Sequence, residues 1–227
     1  MRKILLVSIL STLVMAGIIF LQGNNYLEKE IERALYSGYP GTEKVEAEID
    51  IAWLKDGFRG NIKELRLSIT NWAYNDLEIN RFRGEFINTK INLPHLLRKK
   101  TIVVEKIAKG NVWLEMDQQN LNKMAAKKYA GIEINLQDNK ITIAHKITFW
   151  GRDLATTIWG TLVPGQGPGI IFKPGGLILG GLKPAEGMQE KILKNFNLQF
   201  QLEKIPFTFQ VTTVKIMQNK ILIEGKV

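Results

Sequence analysis

Apolar residues in this chain recur with two periods, and the switches between them mark its elements. Ile4 to Leu21 has neither period: it runs 18 residues without a charge, and Ser8, Ser11 and Thr12 are its only polar members. Leu27, Ile31, Ala34 and Leu35 then fall at helical spacing. Asn24-Asn25 with Glu28 beyond reads as a helix start, and Gly38 as a stop, so residues 25–37 are expected to form an amphipathic helix. After Pro40-Gly41 the period changes to two. Val45, Ala47, Ile49, Ile51 and Trp53 alternate with Glu46, Glu48 and Asp50, the pattern of a strand with one buried face.

The same alternation predicts further strands around Ile62 to Ile69, Leu77 to Ile79, Glu85 to Leu93, and Thr101 to Met116 with a break at Gly110. Pro94 to Lys100 reads as a short basic helical turn. Asp117 should cap a second main helix carrying Leu121, Met124, Ala125 and Tyr129 on one stripe, with Gly131 ending it. Asp138-Asn139 signals a hairpin between Ile132–Leu136 and Ile141–Ile147, and Thr156 to Val163 reads as the strand that follows. Pro164 to Gly169 is a loop, and two apolar runs flank Pro174-Gly175-Gly176. Pro184 suits a first helical position, ahead of Met188, Ile192 and Phe196 on one helical stripe. Strands resume at Leu198 to Leu202, Ile205 to Met217 and Ile221 to Ile223. Roughly nine to eleven strands and three main helices without βαβ alternation predict an α+β fold with a mostly antiparallel sheet.

Charge adds location. Arg2 and Lys3 precede the apolar run, so its basic end should stay in the cytoplasm and residues from Gln22 onward should be exported. A helix of 18 residues reaches roughly 27 Å, the thickness of a bilayer core. An uncleaved anchor is the favoured reading of residues 1–23. A cleaved signal peptide, with Val14-Met15-Ala16 as a weak cleavage site, is the alternative. Both make residues 24–227 a single extracytoplasmic domain. The chain carries a formal charge of +9, unevenly spread: residues 24–50 hold three basic and seven acidic groups, and residues 51–227 hold 26 and 15.

Composition narrows the chemistry. There is no cysteine, which removes disulfides, thiol nucleophiles and thiolate metal sites. His95 and His145 stand alone, and only Ser37 and Ser68 lie beyond the apolar run, so a serine hydrolase or a histidine-based metal centre is hard to assemble. Gly176 and Gly181 have the spacing of a phosphate loop. Leu182-Lys183 stands where that loop needs Lys-Ser/Thr, so these glycines read as turn formers. Glu115, Asp117 and Asp153 are the carboxylates to watch for a paired-acid enzyme. Export argues against a nucleic-acid partner. No cofactor and no catalytic residue are expected.

The positive signal is apolar. Ile170–Phe172, Leu177–Leu182 and Ile205–Phe209 are more continuously apolar than a sheet with one wet face needs. A sheet buried on both faces would produce such runs, as would one curled around a helix with an apolar cavity left between. Five blocks in order then resemble a known family: Leu54 through Gly57 to Leu67; Phe86 to Leu93; Asp117-Gln118-Gln119-Asn120-Leu121-Asn122; Gly160 to Val163; and Ile205-Pro206-Phe207 with Val211, Val214, Ile216 and Ile221 to Gly225. Together they resemble the LmeA-like phospholipid-binding proteins, related to the tubular lipid-binding folds. Asp117-Gln118-Gln119 departs from the family's more acidic helix start.

The resemblance implies a strongly twisted, mostly antiparallel sheet wrapped around amphipathic helices, with an apolar groove and an N-terminal hydrophobic helix. It implies a non-catalytic, membrane-tethered envelope protein that binds or transfers phospholipid or another acyl-chain ligand. Apolar patterning together with that fold picks Ile178, Leu179, Met188, Ile192, Phe196, Ile205, Phe207 and Phe209 as groove residues. Arg81, Arg83, Arg98, Lys99, Lys100, Lys123, Lys127 and Lys128 are the corresponding contacts for anionic head groups. Residues 4–21 would meet the membrane. The alternatives are an envelope scaffold presenting Trp53, Trp72 and Trp113, or a carboxylate-based envelope-modifying enzyme.

Overall fold

A computed structural model describes residues 22–51, 59–74, 77–128, 131–149, 152–195, 198–202 and 207–227. The apolar segment 4–21 lies outside them, and no helix among the described residues is long and apolar enough to cross a membrane. The chain is α+β. A helix, α1, spans 22–38. It is followed by β1 (Lys44–Asp50), β2 (Asn61–Tyr74), β3 (Leu77–Ile91), α2 (Leu93–Lys99), β4 (Val104–Asp117), α3 (Gln118–Lys128) and β5 (Glu133–Gln137). Then come β6 (Lys140–Phe149), β7 (Arg152–Pro164), β8 (Gly169–Leu179), α4 (Glu186–Asn195), β9 (Gln199–Gln201), β10 (Gln210–Met217) and β11 (Lys220–Lys226). One sheet has the order β1-β2-β3-β4-β11-β10 and the other β5-β6-β7-β8-β9. From β5 through β9, and along β4, β11 and β10, neighbouring strands pair antiparallel, as expected from the absence of βαβ units.

The chain forms two compact units, residues 1–69 with 84–110 and residues 70–83 with 111–227. The first holds α1, β1, α2 and stretches of β2, β3 and β4. Leu27, Ile31, Ala34 and Leu35 are all buried, as the helical period predicts. So are Val45, Ala47 and Ile49 of β1, which has the alternating burial of a one-faced strand. β1 is an edge strand, and such an edge exposes unpaired N–H groups. Here α1 covers them. Glu28 Oε1 accepts from the Ile49 N–H at 2.9 Å, Glu32 Oε1 from Ala47 N–H at 3.1 Å, and Tyr36 Oη from Val45 N–H at 2.9 Å. The match is metric: four helical residues rise about 6 Å, close to two strand residues. Part of the acidic bias of residues 24–50 is therefore a set of edge caps.

Two sequence expectations change in this unit. Leu77–Ile79 and Glu85–Leu93 belong to one strand, β3. Their separation came from a break in alternation at Ile79 and Phe82, both buried with Asn80 and Arg81 between them; a second break lies within the later run, where Gly84 and Phe86 are buried, Ile87 and Asn88 both face out, and Thr89 and Ile91 are buried again. Asn88 has φ of 50°, the left-handed region that asparagine tolerates, so this second break is a bulge and not a strand end. Gly110 is likewise no break. It lies within β4, where an added Cβ would sit 2.7 Å from Phe86 Cδ1, so glycine is there for close packing.

The second unit packs β10 across the five-stranded sheet, against β5, β6, β7 and β8. Ile141, Ile143, Ile158, Leu162, Phe172, Leu177, Val211 and Ile216 fill its core. Asp117 caps α3 as expected, its Oδ1 accepting from Asn120 N–H at 2.8 Å. Asn139 and Asn219, with φ of 60° and 62°, turn the two hairpins. β8 runs unbroken through Pro174-Gly175-Gly176, against the expectation of two flanking runs. A register shift opposite Trp159/Gly160 takes up the extra residue, and an added Cβ at Gly176 would lie 2.1 Å from the Trp159 ring. Pro184 precedes α4 by two residues instead of opening it.

Candidate functional site

Four of the apolar positions singled out in the sequence, Ile178, Leu179, Met188 and Ile192, lie at the end of β8 and on α4, within the second unit. Gly180 and Gly181 have φ of 56° and 83°, the two left-handed positions of a tight hairpin turn. Leu179 and Leu182 exchange backbone hydrogen bonds across it, at 2.8 and 3.0 Å. The glycines are thus turn formers and not a phosphate loop. The turn leaves Leu182 75% exposed, beside Ile178 at 36%. The chain then enters α4, which packs on β8. No side chain described on this helix is fully buried: Met188 is 37% exposed, and Ile192 and Leu193 are half-buried. Fully burying an aliphatic side chain of this size contributes about 1.5–3 kcal/mol, so the exposed stripe leaves much of that unrealised.

Four aromatic rings form a row in the same unit. Trp72 meets Phe82 edge-on at 5.2 Å between centroids, Phe82 lies 5.7 Å from Phe207, and Phe207 lies 6.3 Å from Phe209. Trp72, Phe82 and Phe209 are buried, and Phe207, third in the row, is half-buried and is its accessible member. Among the expected groove residues, Ile178 and Leu179 end β8, facing opposite sides of the strand, and Met188 and Ile192 lie on α4, which packs on it. Phe207 and Phe209 belong to the aromatic row. Phe196 and Ile205 lie outside the described residues.

The basic positions divide between the units. Arg98, Lys99 and Lys100 end α2 in the first unit. Arg98 and Lys99 are exposed, and Lys100 reaches the buried Glu30. Glu30 also pairs with Arg33 at 2.7 Å. The hydrogen bond from Lys100, reinforced by Arg33, holds the Glu30 carboxyl below the usual carboxylate range against the opposing effect of burial. In the second unit Arg81 and Arg83 are exposed on alternate positions of β3. Lys123 bonds Glu78 at 2.6 Å, Lys127 is exposed, and the side chain of Lys128 lies outside the described set.

The watched carboxylates have structural partners. Asp117 Oδ2 accepts from Asn80 Nδ2 at 2.8 Å while its Oδ1 caps α3. Glu115 pairs with Lys220 at 3.3 Å, and Asp153 is exposed. His95 sits in α2 and His145 in β6, and no group of three or more metal-ligating side chains occurs among the described residues. Of the tryptophans named for a scaffold patch, Trp72 is buried, Trp113 is 36% exposed, and Trp53 lies outside the described residues. Sequence reading missed Leu182 as a surface residue. The signal was present in Gly180-Gly181, whose turn ends the strand before Leu182 can be covered. In comparison with known protein families, curated proteins and solved structures, the chain has no match.

Proposed function

We propose that this chain is a non-catalytic, extracytoplasmic lipid-binding or lipid-transfer protein of the LmeA-like kind, tethered to the membrane through residues 4–21. The observation that carries the reading is the exposure of Ile178 and Leu182 at the end of β8 and of Met188 on α4, a helix with no fully buried side chain among the described residues. An acyl chain laid on these side chains would be stabilised by about 0.8 kcal/mol for each methylene removed from water. In this reading α4 is the movable wall of an apolar groove, and Phe207 is a second point of apolar contact. The twisted sheet wrapped around its helices belongs to the same proposal. Pairing of Asp117 and Glu115 with structural partners supports binding over carboxylate catalysis.

The test is direct. The full chain is purified from membranes, bound lipid is extracted for mass spectrometry, and binding of a fluorescent fatty-acyl phospholipid is titrated. Met188→Asp with Ile192→Asp should abolish retention of lipid while the thermal transition stays in place. A wild-type chain that carries no lipid and leaves the probe in solution would sink the proposal.

A further inference from the structure

A groove of about 610 Å³ opens on the first unit over β2, β3 and β4, far in sequence from the residues discussed above. Asn61 and Lys63 of β2, Asn88 and Lys90 of β3, and Lys106 and Ala108 of β4 line it. The bulge at Asn88 creates the local geometry: it turns the Asn88 amide outward with φ of 50° and shifts the alternation so that Lys90 follows on the outer face. Ile62 and Thr89 contribute to the lining and are buried, and the Thr89 hydroxyl finds no hydrogen-bond partner.

Three lysines on three adjacent strands repel one another unless acidic groups offset each of them. Neighbouring strands lie about 4.8 Å apart, and like charges facing each other across a sheet destabilise it. Two of the lysines have acidic partners at the groove edge: Lys63 meets Asp50 at 2.9 Å, and Lys90 meets Glu105 at 2.8 Å. Lys106 has no acidic partner among the described residues, and no carboxylate lines the groove itself. The unmatched positive charge of the groove is therefore that of Lys106, with the Asn88 side chain on the same exposed surface.

We propose that this groove binds a phosphate group. Lysine ammoniums are compact point charges on flexible stems with three donors each, suited to an oxyanion with several oxygens. The amide of Asn88 adds a neutral donor to such a site. The groove exceeds the size of one phosphate, so the ligand class is a phosphate ester whose attached group rests beside Ala108. A lipid head group and a soluble phosphate ester share this chemistry. The site stands independently of the apolar surface on the second unit.

The experiment follows backbone amide shifts of the full chain in nonionic detergent micelles. Inorganic phosphate is titrated at ionic strength held constant with sodium chloride. Parallel titrations use dihexanoyl phosphatidic acid and dihexanoylglycerol, the same lipid without phosphate. The expected result is saturable shifts at residues 88–90 and 106. Lys90→Gln with Lys106→Gln should weaken binding on the order of tenfold, in keeping with the loss of two screened charge contacts. Lys173→Gln with Lys226→Gln, two exposed lysines outside the groove, should leave it unchanged, and near-UV circular dichroism should show both variants folded. Response to inorganic phosphate identifies free phosphate chemistry as sufficient, and response only to phosphatidic acid identifies a lipid head group as the source. Shifts equal to those from sodium chloride or dihexanoylglycerol, or an unaltered affinity in the lysine variant, would overturn the site. Because the phosphate arm needs no acyl chain, its failure is distinct from a failure to bind lipid at α4.

Discussion

Helices α1 and α4 are both amphipathic, and each has a strand of its own unit for a neighbour, yet they are held very differently. α1 buries Leu27, Ile31, Ala34 and Leu35 completely, and its polar side chains Glu28, Glu32 and Tyr36 bond successive edge N–H groups of β1. α4 buries no described residue fully, and its entry from the Leu179–Leu182 turn leaves Leu182 in solvent. The first helix is fixed by area and by directional bonds. The second has partial area alone. Local stability follows burial and backbone protection, so α4 belongs to the segments that open at low free energy while α1 opens only with its unit. A ligand-binding wall must come from the former kind.

The largest expected effect separates the two helices by truncation. Ile31→Ala removes a side chain that is 1% exposed and leaves a cavity, for a loss of about 2–5 kcal/mol. Denaturant unfolding should register it as a lower midpoint with unchanged slope. The matching change Ile192→Ala should lose less than about 1 kcal/mol, since its surroundings are already open to water. Equal losses would remove the distinction on which the α4 proposal rests.

Next in size is the ion cluster that joins α1 to the end of α2. Glu30 is buried and receives hydrogen bonds from Lys100 and Arg33. Removing both charged hydrogen bonds in Glu30→Ala should lower stability by about 1.5–3 kcal/mol. The pH dependence has a definite sign. The folded-state pKa is depressed, so the unfolded chain binds the proton more readily, and the stabilisation is complete above the ordinary carboxylate range of about 4.3. It is lost as pH falls through the depressed folded value. Acid titration of the thermal midpoint should show this decline in the wild type and a shallower one in Glu30→Gln.

Much of this organisation was legible in the chain. Leu27, Ile31, Ala34 and Leu35 announced α1 because burial imposes a 3.6-residue period, and Asp138-Asn139 announced a hairpin because only left-handed residues fit its turn. The continuity of β3 and β8 was not legible. The spacing of Ile79 and Phe82 in β3 and the bulge opposite Trp159/Gly160 interrupt a period of two in the way a strand end does, and only pairing with the neighbouring strand tells them apart. The lysine groove was hidden for a related reason. Arg98-Lys99-Lys100 is visible as a run, but Lys63, Lys90 and Lys106 are isolated along the chain and meet only when β2, β3 and β4 pair. Acidic residues were misread in kind: Glu28 read as part of a helix start at Asn24-Asn25 and Glu32 only as part of the acidic bias, but α1 already runs from residue 22 and both carboxylates serve as acceptors for the strand edge.

The smallest effect sharpens the comparison most closely, because it tests the directional bonds alone. Glu28→Ala and Glu32→Ala each free one β1 N–H, at a cost of about 1 kcal/mol. Glutamine at either position keeps an acceptor and should recover most of that loss. Global unfolding will barely distinguish the pairs, but hydrogen exchange should. The Ile49 amide should exchange faster in Glu28→Ala and the Ala47 amide faster in Glu32→Ala, each without spread to the other, because the two carboxylates act on separate edge groups. Protection that falls equally along β1 would mean that burial of α1 alone covers the edge. The contrast with α4 would then be one of area and not of bonding.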